Sequence, residues 1–311
     1  MDQRNLGKCG LKVSIVGLGC NNFGVLDVEA SRKVVHRALD LGITLFDTAD
    51  VYGNRGGSES QLGEILGPRR KDIVLATKFA MPMDDAGAKS GASRRYILSA
   101  VEDSLRRLKT DFIDLYQVHR FDPQTPIVET LETLDGLVRA GKVRYIGCSN
   151  FASWQVVDAS WTAQTQHLTR FVSAQDEYSL VVRDAERELI PALNEKGMGL
   201  LPYFPLASGL LTGKYERGAE PPAGTRMAIM KRLSDRYMTE KNWEIVEKLK
   251  GFCAEHGHSM LELAFSWLLA KSPVASVIAG ATKPEQIEAN AKAPAWKLTS
   301  DDLAEIDRLT K

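Results

Sequence analysis

Eight short apolar runs, each separated from the next by a longer stretch, constrain this chain more than any other feature. They are Val13–Leu18, Ile43–Phe46, Ile73–Thr77, Ile113–Val118, Val143–Cys148, Phe171–Gln175, Met198–Tyr203 and Val274–Ala279. The runs are continuously apolar rather than alternating, which fits strands buried on both faces of a parallel sheet. Between them, Glu29–Leu41, Tyr96–Leu108, Ile127–Val138, Trp154–Thr165, Asp184–Asn194, Glu240–His256 and Pro284–Lys292 return apolar residues at helical spacing. Eight strands, each followed by a helix, close into a barrel more naturally than they open into a doubly wound sheet. The expected fold is therefore α/β, a (β/α)8 TIM barrel filling residues 1–311 as one domain. Residues 4–12 have a Gly-punctuated hairpin pattern and could plug the barrel bottom; residues 204–238 form a long loop after strand seven. A loop that long in a compact domain is usually functional.

Forty basic residues balance forty acidic ones. There is no overall field to gather nucleic acid or an anionic membrane, so neither partner is expected. No apolar run approaches the ~20 residues of a membrane span. The opening Met1-Asp2-Gln3-Arg4-Asn5-Leu6 has no apolar core of a secretory signal. Cys9, Cys20, Cys148 and Cys253 are far apart and form no C-x-x-C, as reduced core residues of a cytoplasmic protein would be. His256-Gly-His258 lacks the spacing of helical metal ligands, and no metal site is expected.

In such a barrel the C-terminal strand ends converge on one face, and catalysis is built there. Asp47 ends the second run, Lys78 the third and His119 the fourth, while Tyr52 lies on the loop after Asp47. Each alone is a common structural residue. Four ionisable groups at consecutive strand ends describe an acid–base site. A free phenol titrates near ~10, and an adjacent ammonium lowers that value. Lys78 is placed to supply the charge, Asp47 to hold Lys78, and His119 to donate to a substrate oxygen or to the phenol. Tyr52 is then a general acid for a carbonyl oxygen. An aldolase-type role for Lys78 as a Schiff base would leave Asp47 and Tyr52 without a function.

The sequence offers no nucleophile to attack the carbonyl carbon, and its other signals point to a dinucleotide. Gly17-Leu18-Gly19-Cys20 lacks the third glycine of a Rossmann turn and opens no helix. Other strand ends carry amides, a hydroxyl and an aromatic ring: Ser149, Asn150, Gln175 and Tyr203. Amides suit a carboxamide, and a flat ring suits stacking on a nicotinamide. Gly280-Ala281-Thr282-Lys283-Pro284 ends the eighth run with a glycine before a helix start, an anion-binding arrangement.

From about Leu6 to Asn290 the chain resembles the aldo-keto reductase superfamily. The family's Asp, Tyr, Lys and His fall on Asp47, Tyr52, Lys78 and His119. Its cofactor motifs resemble Gly147-Cys-Ser-Asn150, Gln175, Tyr203-Phe204-Pro205-Leu206 and Gly209-Leu-Leu-Thr-Gly-Lys214. The segment from Gly280 through Thr282 and Gln286 to Asn290 completes them. The resemblance implies NADPH bound in extended form, with direct hydride transfer to the carbonyl carbon of a small-molecule substrate. It also places Gly19, Cys20, Asn21 and Ser208 on the cofactor side, Lys214 at the pyrophosphate and Arg226 at the adenosine 2′-phosphate. Asn21, Asn22 and Phe23 could line the pocket mouth.

Departures from the family pattern are Phe204 for a usual Ser, Ile278-Ala279-Gly280 for Ile-Pro-Gly, and Ala289 for an acidic residue. Gln286 stands where the family has arginine or glutamine. These bear on the choice of NADPH over NADH. The superfamily also contains potassium channel β subunits, so a cofactor-binding regulatory subunit is the alternative to a stand-alone reductase.

Overall fold

The computed structural model describes all 311 residues. It opens with an antiparallel hairpin of β1 (Gln3–Asn5) and β2 (Lys12–Ser14). Eight parallel strands follow: β3 (Val16–Gly19), β4 (Leu45–Asp47), β5 (Val74–Phe79), β6 (Ile113–Val118), β7 (Val143–Ser149), β8 (Phe171–Glu177), β9 (Gly199–Tyr203) and β10 (Val277–Gly280). Their order is β10-β3-β4-β5-β6-β7-β8-β9. The ring closes just before β10, where Leu200 N–H donates to Pro273 O at 2.9 Å and Ala275 N–H to Leu200 O at 3.1 Å. The expected (β/α)8 barrel is what the chain forms. The first apolar run proves to be two strands, because Ile15 separates the hairpin's Lys12–Ser14 from the barrel's Val16–Gly19. Ser14 ties this joint to the neighbouring strand: its Oγ accepts from Thr44 N–H at 2.9 Å and donates to Val16 O at 2.6 Å.

Eight helices of the outer layer and its extensions are amphipathic or capped segments between strands. They are α1 (Val28–Asp40), α2 (Tyr52–Leu66), α3 (Arg94–Leu108), α4 (Ile127–Arg139), α5 (Ser153–Thr165), α6 (Leu189–Lys196), α7 (Arg226–Ile229) and α8 (Lys231–Tyr237). Four more complete the chain: α9 (Glu240–His256), α10 (Met260–Ala270), α11 (Pro284–Lys292) and α12 (Ser300–Thr310). In α1, Val34, Val35, Ala38 and Leu39 face the strands, and Asp27 caps the start by accepting from Glu29 and Ala30 N–H. The helix that completes the seventh unit is α10, not Glu240–His256. It packs on β10 and α11, while α9 rests outside on α10 and α12. Sequence periodicity passes over α10 because Leu263, Phe265, Trp267 and Leu268 are all fully buried and only Glu262 and Ser266 are polar, which leaves little contrast between its faces. No helix is long and apolar enough to cross a membrane.

Two cores hold the layers together. The larger lies between strands and helices. The smaller fills the barrel bottom with Leu6, Val13, Leu45, Ala76, Leu115, Leu201, Ala275 and Ile278. Leu6, at the hairpin tip and 0% exposed, is the plug expected of residues 4–12. Successive side chains of a strand alternate between its faces. Leu45, Ala76 and Leu115 point into the barrel, so Asp47, Lys78 and Gln117, each two residues further on, point inward one layer above. The same period that builds the apolar bottom thus aims polar groups at the top.

Candidate active site

At the top of the barrel the Lys78 ammonium donates to Asp47 Oδ2 at 2.6 Å and to Thr48 O at 3.0 Å. Lys78 is 0% and Asp47 4% exposed, so the pair is shut off from water. Asp47 Oδ1 accepts from Gln175 Nε2 at 2.9 Å and from Gln117 Nε2 at 3.2 Å. Both carboxylate oxygens are therefore held, which buried charge requires. Gln117 was not singled out from the sequence, although its place two residues before His119, near the end of the run, was a signal for it. Tyr52 completes the cluster. Lys78 Nζ lies 5.1 Å from the Tyr52 ring centroid, and the Tyr52 and His119 rings meet edge-on at 5.6 Å. All four residues expected at the site come together.

Burial pushes the Tyr52 phenol up, and although Lys78 pulls it down as expected, burial prevails. The phenol therefore stays protonated through neutral pH, the form a proton donor needs. Burial works against the Lys78 ammonium too, but Asp47 and Tyr52 together outweigh it and keep Lys78 charged. His119 moves the other way. Burial, reinforced by the Lys78 charge, lowers it to about 3. His119 is thus a neutral imidazole with one N–H to donate. Cys20 and Cys148 are fully buried thiols pushed well up by desolvation, which makes them packing groups rather than nucleophiles.

The backbone at this face is strained. Of the nine non-glycine residues with positive φ, seven stand at the strand tops, in loops or in the distorted first turn of α2: Asn54, Arg55, Ala80, Asn150, Phe204, Ala207 and Ser208. Such conformations cost of order 1–3 kcal/mol each and gather where function needs them. Gly53, directly after Tyr52, has φ +65°, and a Cβ there would stand 2.4 Å from Phe23 O. Only glycine lets the Tyr52 turn lie against the loop after β3.

The residues expected to bind a dinucleotide ring the same opening. Tyr203 O–H donates to Asn150 Oδ1 at 2.8 Å, and Asn150 Nδ2 donates to Ser149 Oγ and to His119 O, both at 3.0 Å. Asn150 is already engaged, while Gln175 spends only its N–H on Asp47 and keeps its oxygen to accept. Phe204 packs edge-on to Tyr203 at 5.4 Å, with Pro205 buried and Leu206 half-buried behind it. Ser208 Oγ is buried without a partner. Lys214 reaches back over Gly209 and the Tyr215 ring. Half-buried Arg226 donates to Asn22 Oδ1 at 2.5 Å, which brings α7 across to the loop after β3. Neither Lys214 nor Arg226 is paired with a carboxylate.

Gly280 closes the ring opposite. A Cβ on it would meet Asn22 Nδ2 at 3.1 Å and Asn21 Oδ1 at 3.3 Å, and Gly19 lies beside it in the sheet. Cys20, next along, is sealed in the core. Thr282 and Gln286 are linked at the start of α11, where Gln286 Oε1 accepts from Thr282 N–H at 2.7 Å; Asn290 is buried on the same helix. Two unpaired cations, an unpartnered hydroxyl and a glycine-lined edge fit a phosphate-bearing ligand. An amide oxygen and a flat ring beside the tetrad fit a nicotinamide. The residues present therefore suit a nicotinamide dinucleotide, NAD(P)H.

Comparison with known proteins agrees with this geometry. The sequence model of the Aldo/keto reductase family matches residues 15–311. An uncharacterised oxidoreductase of Bacillus subtilis, YrpG, is 39% identical over 97% of this chain and 94% of its own length. A probable voltage-gated potassium channel subunit beta of Arabidopsis thaliana is 37% identical over 94% of this chain and 91% of its own. The L-glyceraldehyde 3-phosphate reductase of Escherichia coli O157:H7 is 33% identical over 99% of this chain and 92% of its own. With the barrel, the tetrad and a family match over nearly its whole length, this chain belongs to the aldo/keto reductase family.

Proposed function

We propose that the protein is a stand-alone, cytoplasmic NADPH-dependent reductase that converts the carbonyl of a small aldehyde or ketone to an alcohol. The observation that carries this reading is Tyr52, whose phenol burial keeps protonated, beside the buried Asp47–Lys78 pair at the strand tops, the face where Lys214 and Arg226 have no carboxylate partner. Bound NADPH supplies the hydride. Tyr52 gives its proton to the carbonyl oxygen as charge develops there, and Lys78 stabilises the phenolate left behind. Asp47, with Gln117 and Gln175 on its second oxygen, holds Lys78 in place. Neutral His119 donates to the carbonyl oxygen and fixes which face is presented. Tyr203 offers the flat surface for the nicotinamide, Gln175 an acceptor for its carboxamide, and Lys214 and Arg226 the charges for phosphate. Four separate free thiols accord with a reducing compartment.

The test is quenching of NADPH fluorescence on titration with the protein, NADH in parallel, followed by a panel of small aldehydes. Binding with aldehyde-dependent oxidation of NADPH is the expected result. Relatives named as potassium channel β subunits support a second reading, a cofactor-binding regulatory subunit. Tight binding with no turnover on any carbonyl would favour it, and no binding would sink both.

A further inference from the structure

Behind the tetrad, between β5, β6, α2 and α3, lies a group of ionisable side chains that the reaction above does not use. Asp50 is 1% exposed, and neither carboxyl oxygen is within hydrogen-bond geometry of a side-chain donor; the nearest backbone donor acting on it is its neighbour Val51 N–H. Its own N–H donates to Lys78 O at 3.1 Å, and Tyr52 N–H, two residues on, donates to Ala49 O at 3.2 Å. Asp50 is therefore built into the turn that carries the acid. The groups facing it are Glu59 on α2, Arg107 and Tyr96 on α3, Tyr116 on β6 and Lys78 on β5; Asp84 and Asp103 face Tyr96 from further out.

Counting charges shows which of these is left over. Glu59, 0% exposed, accepts from Arg107 Nε at 2.7 Å and from Thr77 Oγ1 at 2.5 Å. Arg107 is spent on Glu59, and Lys78 is spent on Asp47. No cation remains for Asp50. A buried carboxyl group with no cation of its own and no side-chain donor keeps its proton, because the alternative is an uncompensated charge in the interior.

We propose that Asp50 is a positioning residue for the reductase site: as a neutral acid it seats the Asp47–Tyr52 turn, and its ionisation unseats that turn and shuts reduction off at alkaline pH. Burial and the neighbouring Glu59 carboxylate raise the Asp50 carboxyl to about 8, against the pull of Arg107, the Val51 backbone N–H and Lys78. A carboxyl group raised on folding takes up a proton in the folded state. Its contribution to stability therefore falls as pH climbs from about 4 to about 8, then levels off.

The activity arm of the test rests on the reductase reading, so two further arms are independent of it. Asp50→Asn copies the neutral shape of the side chain without the ionisation. Infrared difference spectra of wild type minus D50N at neutral pH should show the carbonyl stretch of a protonated carboxylic acid, disappearing as wild type is taken above pH 8. Thermal unfolding should show the two proteins matched at about pH 4 and D50N increasingly the more stable from there to pH 8. In NADPH-dependent aldehyde reduction, wild-type kcat should fall about tenfold from its plateau by pH 9, while D50N stays within about threefold of its neutral rate. Absence of the infrared band overturns the proposal, and the wild-type spectrum decides this even if D50N folds poorly. An identical alkaline limb in folded D50N overturns the positioning role. The band and the stability crossing without any turnover would overturn the reductase reading instead, leaving Asp50 shown as a neutral acid.

Discussion

Asp47 and Lys78 meet at 2.6 Å where neither is open to solvent, and each binds further partners: Gln175 and Gln117 on the carboxylate, Thr48 O on the ammonium. Breaking such a pair from one side leaves a buried charge without its counterion, at a cost of about 3–5 kcal/mol, whereas replacing both partners costs far less. Asp47→Asn and Lys78→Met should each lower stability by about that amount, and the double variant should recover much of it. Denaturant unfolding of the four proteins checks this. Additive losses would mean the pair is not coupled.

Tyr52→Phe removes the donated proton and almost no volume. A general acid contributes about 10²–10⁴-fold, and carbonyl reduction should fall by that factor while NADPH affinity, read by fluorescence quenching, stays nearly intact. Unchanged turnover would take Tyr52 out of the acid role.

His119 titrates at about 3 in the folded protein, against an ordinary histidine value of 6.5. The unfolded chain takes up the proton first, so the stability His119 confers is complete above pH 6.5 and declines as pH falls towards 3. Between pH 6.5 and 5 the loss is on the order of 1 kcal/mol. His119→Gln should flatten this part of the stability profile in thermal melts across that range; an unaltered slope would assign it to other groups.

Arg226 has Asn22 as its hydrogen-bonding partner and no carboxylate. Its charge is free for a phosphate. Arg226→Ala should weaken NADPH by about tenfold, the worth of one charge-assisted hydrogen bond, and NADH by less. Parallel titrations measure both, and equal losses would argue against a 2′-phosphate contact.

The barrel and its tetrad were legible because both rest on local order. A parallel strand buried on two faces reads as an apolar run, and the residue at its end stands at the face where all such ends meet. Asp47, Lys78 and His119 could thus be assigned a common site without knowing any distance between them. Elements without a periodic contrast were lost. The first turn of α2 holds Gly53, Asn54, Arg55 and Gly56 in left-handed conformations, and α10 is apolar at all but Glu262 and Ser266. Neither leaves an amphipathic trace.

What the sequence by itself determined is the order of strands and helices, the period that points Leu45 down and Asp47 up, and the chemistry at each strand end. Tertiary structure alone decided which charges are paired and which are stranded. Arg226 meets Asn22 across 204 residues of chain, and Gln175 reaches Asp47 across 128. Tyr52 keeps its proton because burial outweighs the Lys78 charge, a balance set by how completely neighbouring elements exclude water. Asp50 lacks a cation because Arg107 and Lys78 are spent elsewhere. Solvent exclusion and charge pairing are properties of assembled neighbours, and no window of sequence contains them.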